Sequence, residues 1–427
     1  MEDELFESNL AAMATRWPNL ARKVKAHDLA DLHVEVRQGI SATLCVNELQ
    51  LSSRHDPESE AVVQAKSLAP SPVLTLYGLG LGFLALELLK SRPSLQQLRI
   101  VIMNTGLLRV VISDIDLTDI FNDPRTILCS AIDEAVPQSP YFVSPPDFYL
   151  ADEYAYELRK KLLHEKTAKF NNDIFIRMQD ETSNRISRNI DLIESDGDVA
   201  DFFDSAIGRT ACVIGAGPTL NQTLTWCQLQ LRTKNPPLII AVDTALRPLA
   251  QIGIRPDIVV SIDRNKREKF FYTGMSEVPL VYSPALANDV IKAWPGPRYT
   301  TYFELSEYDK WRKSHPKASL LSLGSVIHSA VDLAIKMGVT QIVLLGADFG
   351  FPDGENYART LEKFSSKKLK ISDWAIDGYG KKIPTMPNLN GYLMALEEYI
   401  GLHPEVRFYN SSRSGACIKG THYISTD

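Results

Sequence analysis

The sequence predicts an α/β protein with a Rossmann-like central domain, flanked by an N-terminal α/β domain and a helical C-terminal part. Three observations carry that expectation. Short apolar, β-branched runs alternate with helical patterns in two separate stretches, as parallel sheets require. Each stretch has a strand that passes straight into a glycine-rich turn, Gly78-Leu-Gly80-Leu-Gly82 in one and Gly215-Ala-Gly217-Pro218 in the other. Between them, Ala151 to Ser195 contains neither Gly nor Pro and is amphipathic throughout.

Taken in order, the first thirty residues read as a helical lead-in, with Leu10-Ala-Ala-Met-Ala before Trp17-Pro18 and Leu20-Ala-Arg-Lys-Val24 after it. A meander follows. His33–Val36, Ala42–Val46 and Glu48–Leu51 alternate with period two between polar breaks. Residues 54–66 are polar, a loop and the start of a helix. Val73–Leu76 is a strand entering the first glycine turn, Leu84–Leu89 continues as a helix, and Arg99–Met103 is the next buried strand. These elements define a domain over 1–150. The stretch 151–207 is expected to form two helices connecting domains.

A second α/β run opens near Gly208 and extends to about 360. Ala211–Ile214, Leu238–Val242, Asp257–Ile262 and Gln341–Leu345 are continuously apolar, the signature of strands covered on both faces. Val326, Ile327, Ala330, Val331, Ala334 and Ile335 recur with helical spacing. From 361 to 387 the chain is basic and punctuated by Gly and Pro, which predicts a mobile loop. A last helix, Leu389 to Ile400, leads into the tail, so that 361–427 forms a helical and loop-rich end.

Composition narrows the function. The 427 residues carry a formal net charge of −6, which disfavours a broad nucleic-acid surface. No stretch approaches the roughly 20 apolar residues that span a bilayer. The acidic opening Met1-Glu-Asp-Glu-Leu-Phe6 lacks the basic and apolar regions of a signal peptide. Five scattered cysteines without a Cys-x-x-Cys pair fit reduced thiols, and the expectation is a cytoplasmic protein. The eight histidines are scattered too, with no His-x-x-x-His, so no histidine metal centre is expected.

The sharpest local signal is Val213-Ile-Gly215-Ala-Gly217-Pro218-Thr219-Leu220. Glycines let backbone amides approach an anion, and the helix start beyond them presents unpaired N–H groups. Leu220 stands where a third fingerprint glycine belongs, and no Gly-Lys-Ser/Thr follows, so neither dinucleotide nor Walker motif is complete. A tight strand-to-helix turn without ligand accounts for the same residues. Asp243, before Thr244, and Asp263, before Arg264-Asn265, end the next two strands, where open α/β sheets bind ligands. Either alone reads equally well as a helix cap.

Gly324-Ser325 opens a helix and reads as a cap or a phosphate contact. Gly346-Ala-Asp348 with the loop to Asp353 and Tyr357 reads as a pocket rim or as a turn. In the first domain the glycine turn lacks a ribose-binding acid, since Asn104 ends the next strand, and the site reads as degenerate. Asp114-Ile-Asp116 spells the Asp-x-Asp of metal-dependent glycosyltransferases, but lies far in sequence from the other candidates and reads as coincidence.

The order of these motifs resembles the core of the motility-associated-factor family. Gly215–Leu220, Ala241–Asp243, Gly253-Ile-Arg-Pro-Asp257, Ser261–Asp263, Gly324–Val326 and Gly346–Asp348 through Tyr357 follow in family order. The flanks match as well, in Trp17-Pro18, Gly78–Gly82, Asn184, Asn189 and Gly415–Gly420. That core is similar to bacterial sialyltransferases of a variant GT-A fold, which use CMP-activated sugars without a bound metal. It is also shared with archaeal hydroxymethylpterin diphosphokinases.

The resemblance implies a glycosyltransferase carrying a nonulosonic acid, of pseudaminic or legionaminic type, from a CMP donor to flagellin Ser/Thr. Gly215, Gly217, Pro218 and Thr219 would hold the CMP phosphate and ribose. Asp243 and Asp263 would line the nucleotide and sugar and supply the catalytic carboxylates, with Thr244, Asn265 and Tyr357 completing the binding set. Gly324 and Ser325 would meet cytidine or phosphate, and Asp348 would form the floor. Arg264, Lys266 and Arg267 are candidates for the phosphate or the sugar carboxylate, or else a solvated basic loop. No resident cofactor is implied. A divalent metal stays open, and the diphosphokinase alternative would place one on Asp348 and Asp353. The sialyltransferases' histidine base is missing from Gly380–Thr385, which leaves a non-catalytic flagellin-binding protein as a third alternative.

Overall fold

A computed structural model describes residues 2–40, 42–134, 136–264, 275–354 and 373–424; the side chains of 2–3, 166–180, 306 and 353 are not described. The chain divides into two compact units, Met1–Glu165 and Lys166–Asp427.

The first unit opens with helices Glu2–Arg16 and Pro18–Ala26, the second starting with proline at its first position, where no amide donor is needed. The meander is an antiparallel sheet of β1 (Val34–Arg37), β2 (Thr43–Val46) and β3 (Leu49–Gln50). Helix Pro57–Ser67 is capped by Asp56, whose side chain accepts from the Ser59 amide at 2.8 Å. A four-stranded parallel sheet follows, β4 (Val73–Tyr77), β5 (Gln97–Ile102), β6 (Thr126–Ser130) and β7 (Tyr141–Val143), in the order β6-β5-β4-β7. Its core gathers Leu74, Leu76, Leu98 and Ile100 from the strands with Leu88 and Val111 from the helices, all buried. Asn104 has a structural task here: it caps helix Thr105–Asp114 through the Leu107 amide and donates to the Leu150 carbonyl.

The stretch expected to make two connecting helices is mainly one. Helix Tyr156–Arg188 runs 33 residues and breaks at Asn189 before the short helix Ile190–Ser195. The Asn189 amide group donates to the carbonyls of Pro284 and Leu286, so the break is a docking point.

The second unit is built on nine strands. They are β8 (Gly197–Asp198), β9 (Thr210–Ile214), β10 (Leu238–Val242), β11 (Ile258–Ser261), β12 (Leu280–Tyr282), β13 (Arg298–Thr300), β16 (Gln341–Leu345), β19 (Arg407–Asn410) and β20 (Thr421–Tyr423). All neighbouring pairs are parallel, in the order β20-β19-β16-β9-β10-β11-β12-β13-β8. Two small pairs, β14 (Tyr302–Phe303) with β15 (Ser319–Leu320) and β17 (Asp373–Ile376) with β18 (Lys382–Thr385), stand apart from it. The apolar runs behave as their composition demands: β10, β11 and β12 are buried at every residue. Helix Val326–Lys336 buries Ile327, Ala330, Val331 and Ala334 on the face its spacing defines.

The expected mobile loop over 361–387 needs correction in part. Residues 361–372 lie outside the described residues, but 373–385 form the antiparallel β17–β18 hairpin. Its turn is fixed by Asp377, whose carboxylate accepts from the amides of Tyr379 and Lys381 at 2.8 Å each. Helix Pro387–Gly401 follows, two residues earlier than its apolar pattern suggests, again with proline at the start.

Candidate functional site

In the nine-stranded sheet the chain moves outward from β9 through β10 to β13 on one side, and from β16 through β19 to β20 on the other. The boundary between β9 and β16 is therefore the topological switch point, and a crevice outside the carboxyl ends of the strands opens there. It is a cavity of about 620 Å³. Gly215, Gly217, Asp243, Thr244, Asp263, Gly324, Ser325 and Asp348 all line it, although 133 positions separate the first from the last.

The glycines allow two loops to meet backbone to backbone. A Cβ on Gly215 would lie 2.5 Å from the Gly346 carbonyl oxygen, and one on Gly217 would lie 2.4 Å from Asp348 Oδ2. The Gly215 amide donates to Leu345 at 2.8 Å and the Gly217 amide to Gly346 at 2.9 Å. The turn was expected to offer these amides to a phosphate, and the structure corrects that role. Those amides are committed to the neighbouring loop, and the glycines contribute by having no side chain. Thr219 is committed too. Its amide donates to Asp348 Oδ2 at 2.8 Å and its hydroxyl to Asp348 Oδ1. Thr219 and Pro218 are buried and lie outside the lining.

Asp348 is 5% exposed, and burial pushes its carboxyl up to about 6, against the two hydrogen bonds from Thr219 that favour the charged form. Its own carbonyl accepts from the Ala416 amide at 2.8 Å, tying the tail to the floor of the cavity. The next residue, Phe349, has φ of 45°, an uncommon conformation for a side chain of this size, and its carbonyl is held by the Thr385 hydroxyl at 2.6 Å. Both carboxylate oxygens of Asp348 accept from Thr219, and the side chain of Asp353, its partner in the metal pair of the diphosphokinase alternative, lies outside the described residues. Among the described residues no group of three or more His, Cys, Asp or Glu is placed to hold a metal.

The two strand-end aspartates differ. Asp243 is buried and accepts the Ser261 hydroxyl at 2.6 Å, a bond across the ends of β10 and β11. Asp263 is exposed. Arg264 is outside the lining and donates to the Thr182 hydroxyl at 3.0 Å, while its carbonyl accepts from Arg185. Asn265, Lys266, Arg267 and Tyr357 lie outside the described residues.

Gly324 and Ser325 bring the start of helix Val326–Lys336 to the cavity. The Ser325 amide donates to His328 Nδ1 at 3.2 Å, which leaves Nε2 protonated to donate to the Tyr392 carbonyl at 2.9 Å. His328 is fully buried, and burial pushes its pKa down to about 4, so it is neutral. It fixes the helix start against helix Pro387–Gly401.

The sequence reading missed the opposite wall. Phe349, Phe351, Met386, Asn388, Leu389 and Tyr392 line it. Asn388 and Tyr392 are four apart on one helix, and that spacing was the available signal. Among the described lining residues there are three aspartates and no Lys or Arg.

Comparison with known proteins adds one sequence match that overlaps this cavity. Residues 184–354 match the family described as 6-hydroxymethylpterin diphosphokinase MptE-like. That MptE-like segment contains β9, β10, β11 and β16 and the loops that follow them. No curated protein matches the chain. Among solved structures, a Maf glycosyltransferase from Magnetospirillum magneticum AMB-1 is similar at 17% identity and a TM-score of 0.46, covering 100% of this chain and 75% of that one. The sialyltransferase CstII from Campylobacter jejuni, in complex with a substrate analogue, cytidine-5'-monophosphate, is similar at 13% identity and a TM-score of 0.27. That similarity covers 52% of this chain and 86% of that one.

Proposed function

We propose that this chain is a cytoplasmic glycosyltransferase that moves a nonulosonic acid, of pseudaminic or legionaminic type, from its CMP-activated form to Ser/Thr of flagellin. The observation that carries the reading is the single cavity at the switch point, where Asp243, Asp263, Ser325 and the Asp348 floor converge within an MptE-like core. The motif order discussed above supplies the donor and acceptor classes.

The reaction breaks the bond between the anomeric carbon and the CMP phosphate oxygen and forms a bond from that carbon to the acceptor oxygen. The electron pair leaves with the phosphate and the hydroxyl proton must be taken up. Asp263, exposed at the rim, is the residue suited to take that proton. Asp243, buried and held by Ser261, is suited to orient donor hydroxyls from a fixed position. The start of helix Val326–Lys336 offers positive potential to the leaving phosphate, which matters where the described lining has no cation. The apolar wall with Tyr392 provides a face against which a base can stack.

The reading is tested by incubating flagellin with the protein and a CMP-nonulosonate and measuring intact flagellin mass. The expected result is a gain of whole sugar residues, reduced at least about 100-fold in rate by Asp263→Asn. Unmodified flagellin in the presence of a donor that binds would favour an accessory role instead.

A second reading, ATP-dependent diphosphate transfer to a pterin-like alcohol, is favoured by the family description of residues 184–354.

A further inference from the structure

The first unit has its own switch point. The chain passes from β4 through β5 to β6 on one side and returns to β7 on the other, so the crevice lies between the ends of β4 and β7. A cavity of about 420 Å³ opens there, lined by Gly78–Leu81 after β4 and Ser144–Pro146 after β7. By the general rule for such sheets, a nucleotide phosphate would sit on the amides of this glycine turn.

Those amides already hold a carboxyl group, and it belongs to the protein; burial pushes its pKa up, against the hydrogen bonds from Ser144, Gly80 and Leu79. Asp147, in the short helix Pro145–Tyr149 after β7, accepts from the Leu79 amide at 3.2 Å and the Gly80 amide at 3.1 Å. The Ser144 hydroxyl donates to the same carboxylate at 2.5 Å. Asp147 is 6% exposed, and a Cβ on Gly78 would overlap it at 2.2 Å, so the turn is shaped around this side chain. Gly80, with φ of 54°, and Gly78, with φ of 94°, supply the backbone conformation that aims consecutive amides at one point.

The second unit repeats the construction. There the loop after β16 places the Asp348 carboxylate on the Thr219 amide beside Gly217. In both units a glycine turn on the inner strand is closed by an aspartate from the loop across the switch point.

We propose that Asp147 is a built-in substitute for a ligand phosphate, so that the first unit carries a latent anion site kept shut against nucleotides. Removing the carboxylate and its volume frees the Leu79 and Gly80 amides for inorganic phosphate.

Hydrogen–deuterium exchange of the full chain, followed over the segment containing Leu79 and Gly80, tests this. In the unaltered protein, millimolar inorganic phosphate, ATP or S-adenosylmethionine should leave exchange in that segment unchanged. In Asp147→Gly, phosphate at ten times its Kd should slow exchange there about tenfold. Asp147→Asn, which keeps the volume, should gain no phosphate protection. Protection of the segment by any of the three compounds in the unaltered protein overturns the proposal, whether or not Asp147→Gly folds. A folded Asp147→Gly that ignores phosphate overturns it as well.

Discussion

At Asp348, burial and hydrogen bonding pull in opposite directions, and burial wins. The folded pKa near 6 exceeds the ordinary 3.8, so folding favours the protonated form. The group therefore opposes folding above about pH 6, and that penalty fades as pH falls through 6 towards 4. The difference corresponds to at most about 3 kcal/mol. Asp348→Asn keeps an acceptor for the Thr219 amide and removes the charge. It should raise Tm at pH 7.5 relative to the unaltered chain, with the gain shrinking to nothing near pH 4. A gain independent of pH would show that the buried charge of Asp348 is not its source. Gly217→Ala is the opposite case. Its Cβ would meet Asp348 Oδ2 at 2.4 Å and the Gly346 carbonyl at 2.8 Å, so denaturant unfolding should show a loss of about 1–3 kcal/mol. These residues also show what single positions disclosed in advance. The glycine turn, Asp243 and Asp263 were legible as candidates because they follow apolar strands. That the glycine amides bond to the backbone of the loop after β16, and the Thr219 amide to its Asp348 carboxylate, was not, since that carboxylate lies 129 residues away from Thr219.

Among the elements, the buried strands were the most legible, because a strand covered on both faces has no polar position to interrupt the run. Leu344, fully buried in β16 between β9 and β19, illustrates the energetics: Leu344→Ala should lower unfolding free energy by about 2–5 kcal/mol. The hairpin β17–β18 was hidden, since its strands hold polar residues and Pro384, and its register depends on Asp377 at the turn. Helix Pro387–Gly401 was visible, but its role in the cavity was not, as a period says which face is buried and not against what. Tyr392→Ala at its start removes a wall of the cavity and should weaken nucleotide binding about tenfold by calorimetry while leaving the far-ultraviolet circular dichroism unchanged.

For the whole molecule, the sequence foresaw two α/β runs, and the chain has two compact units, each with a parallel sheet and a switch point. Only relative strand order, which no local pattern encodes, tells where those switch points fall. It places the candidate donor site at the β9–β16 boundary and the closed glycine turn at the β4–β7 boundary. No helix among the described residues is long and apolar enough to cross a membrane. The proposed function requires that the cavity of the second unit receive the nucleotide of a CMP-activated sugar. Calorimetric titration of the full chain with CMP, against ATP and GTP, with Asp243→Ala alongside, tests it most directly. The expected result is one CMP site per chain, preferred over ATP and GTP and weakened at least about tenfold in the variant. Preference for ATP, or CMP binding indifferent to Asp243, would contradict it.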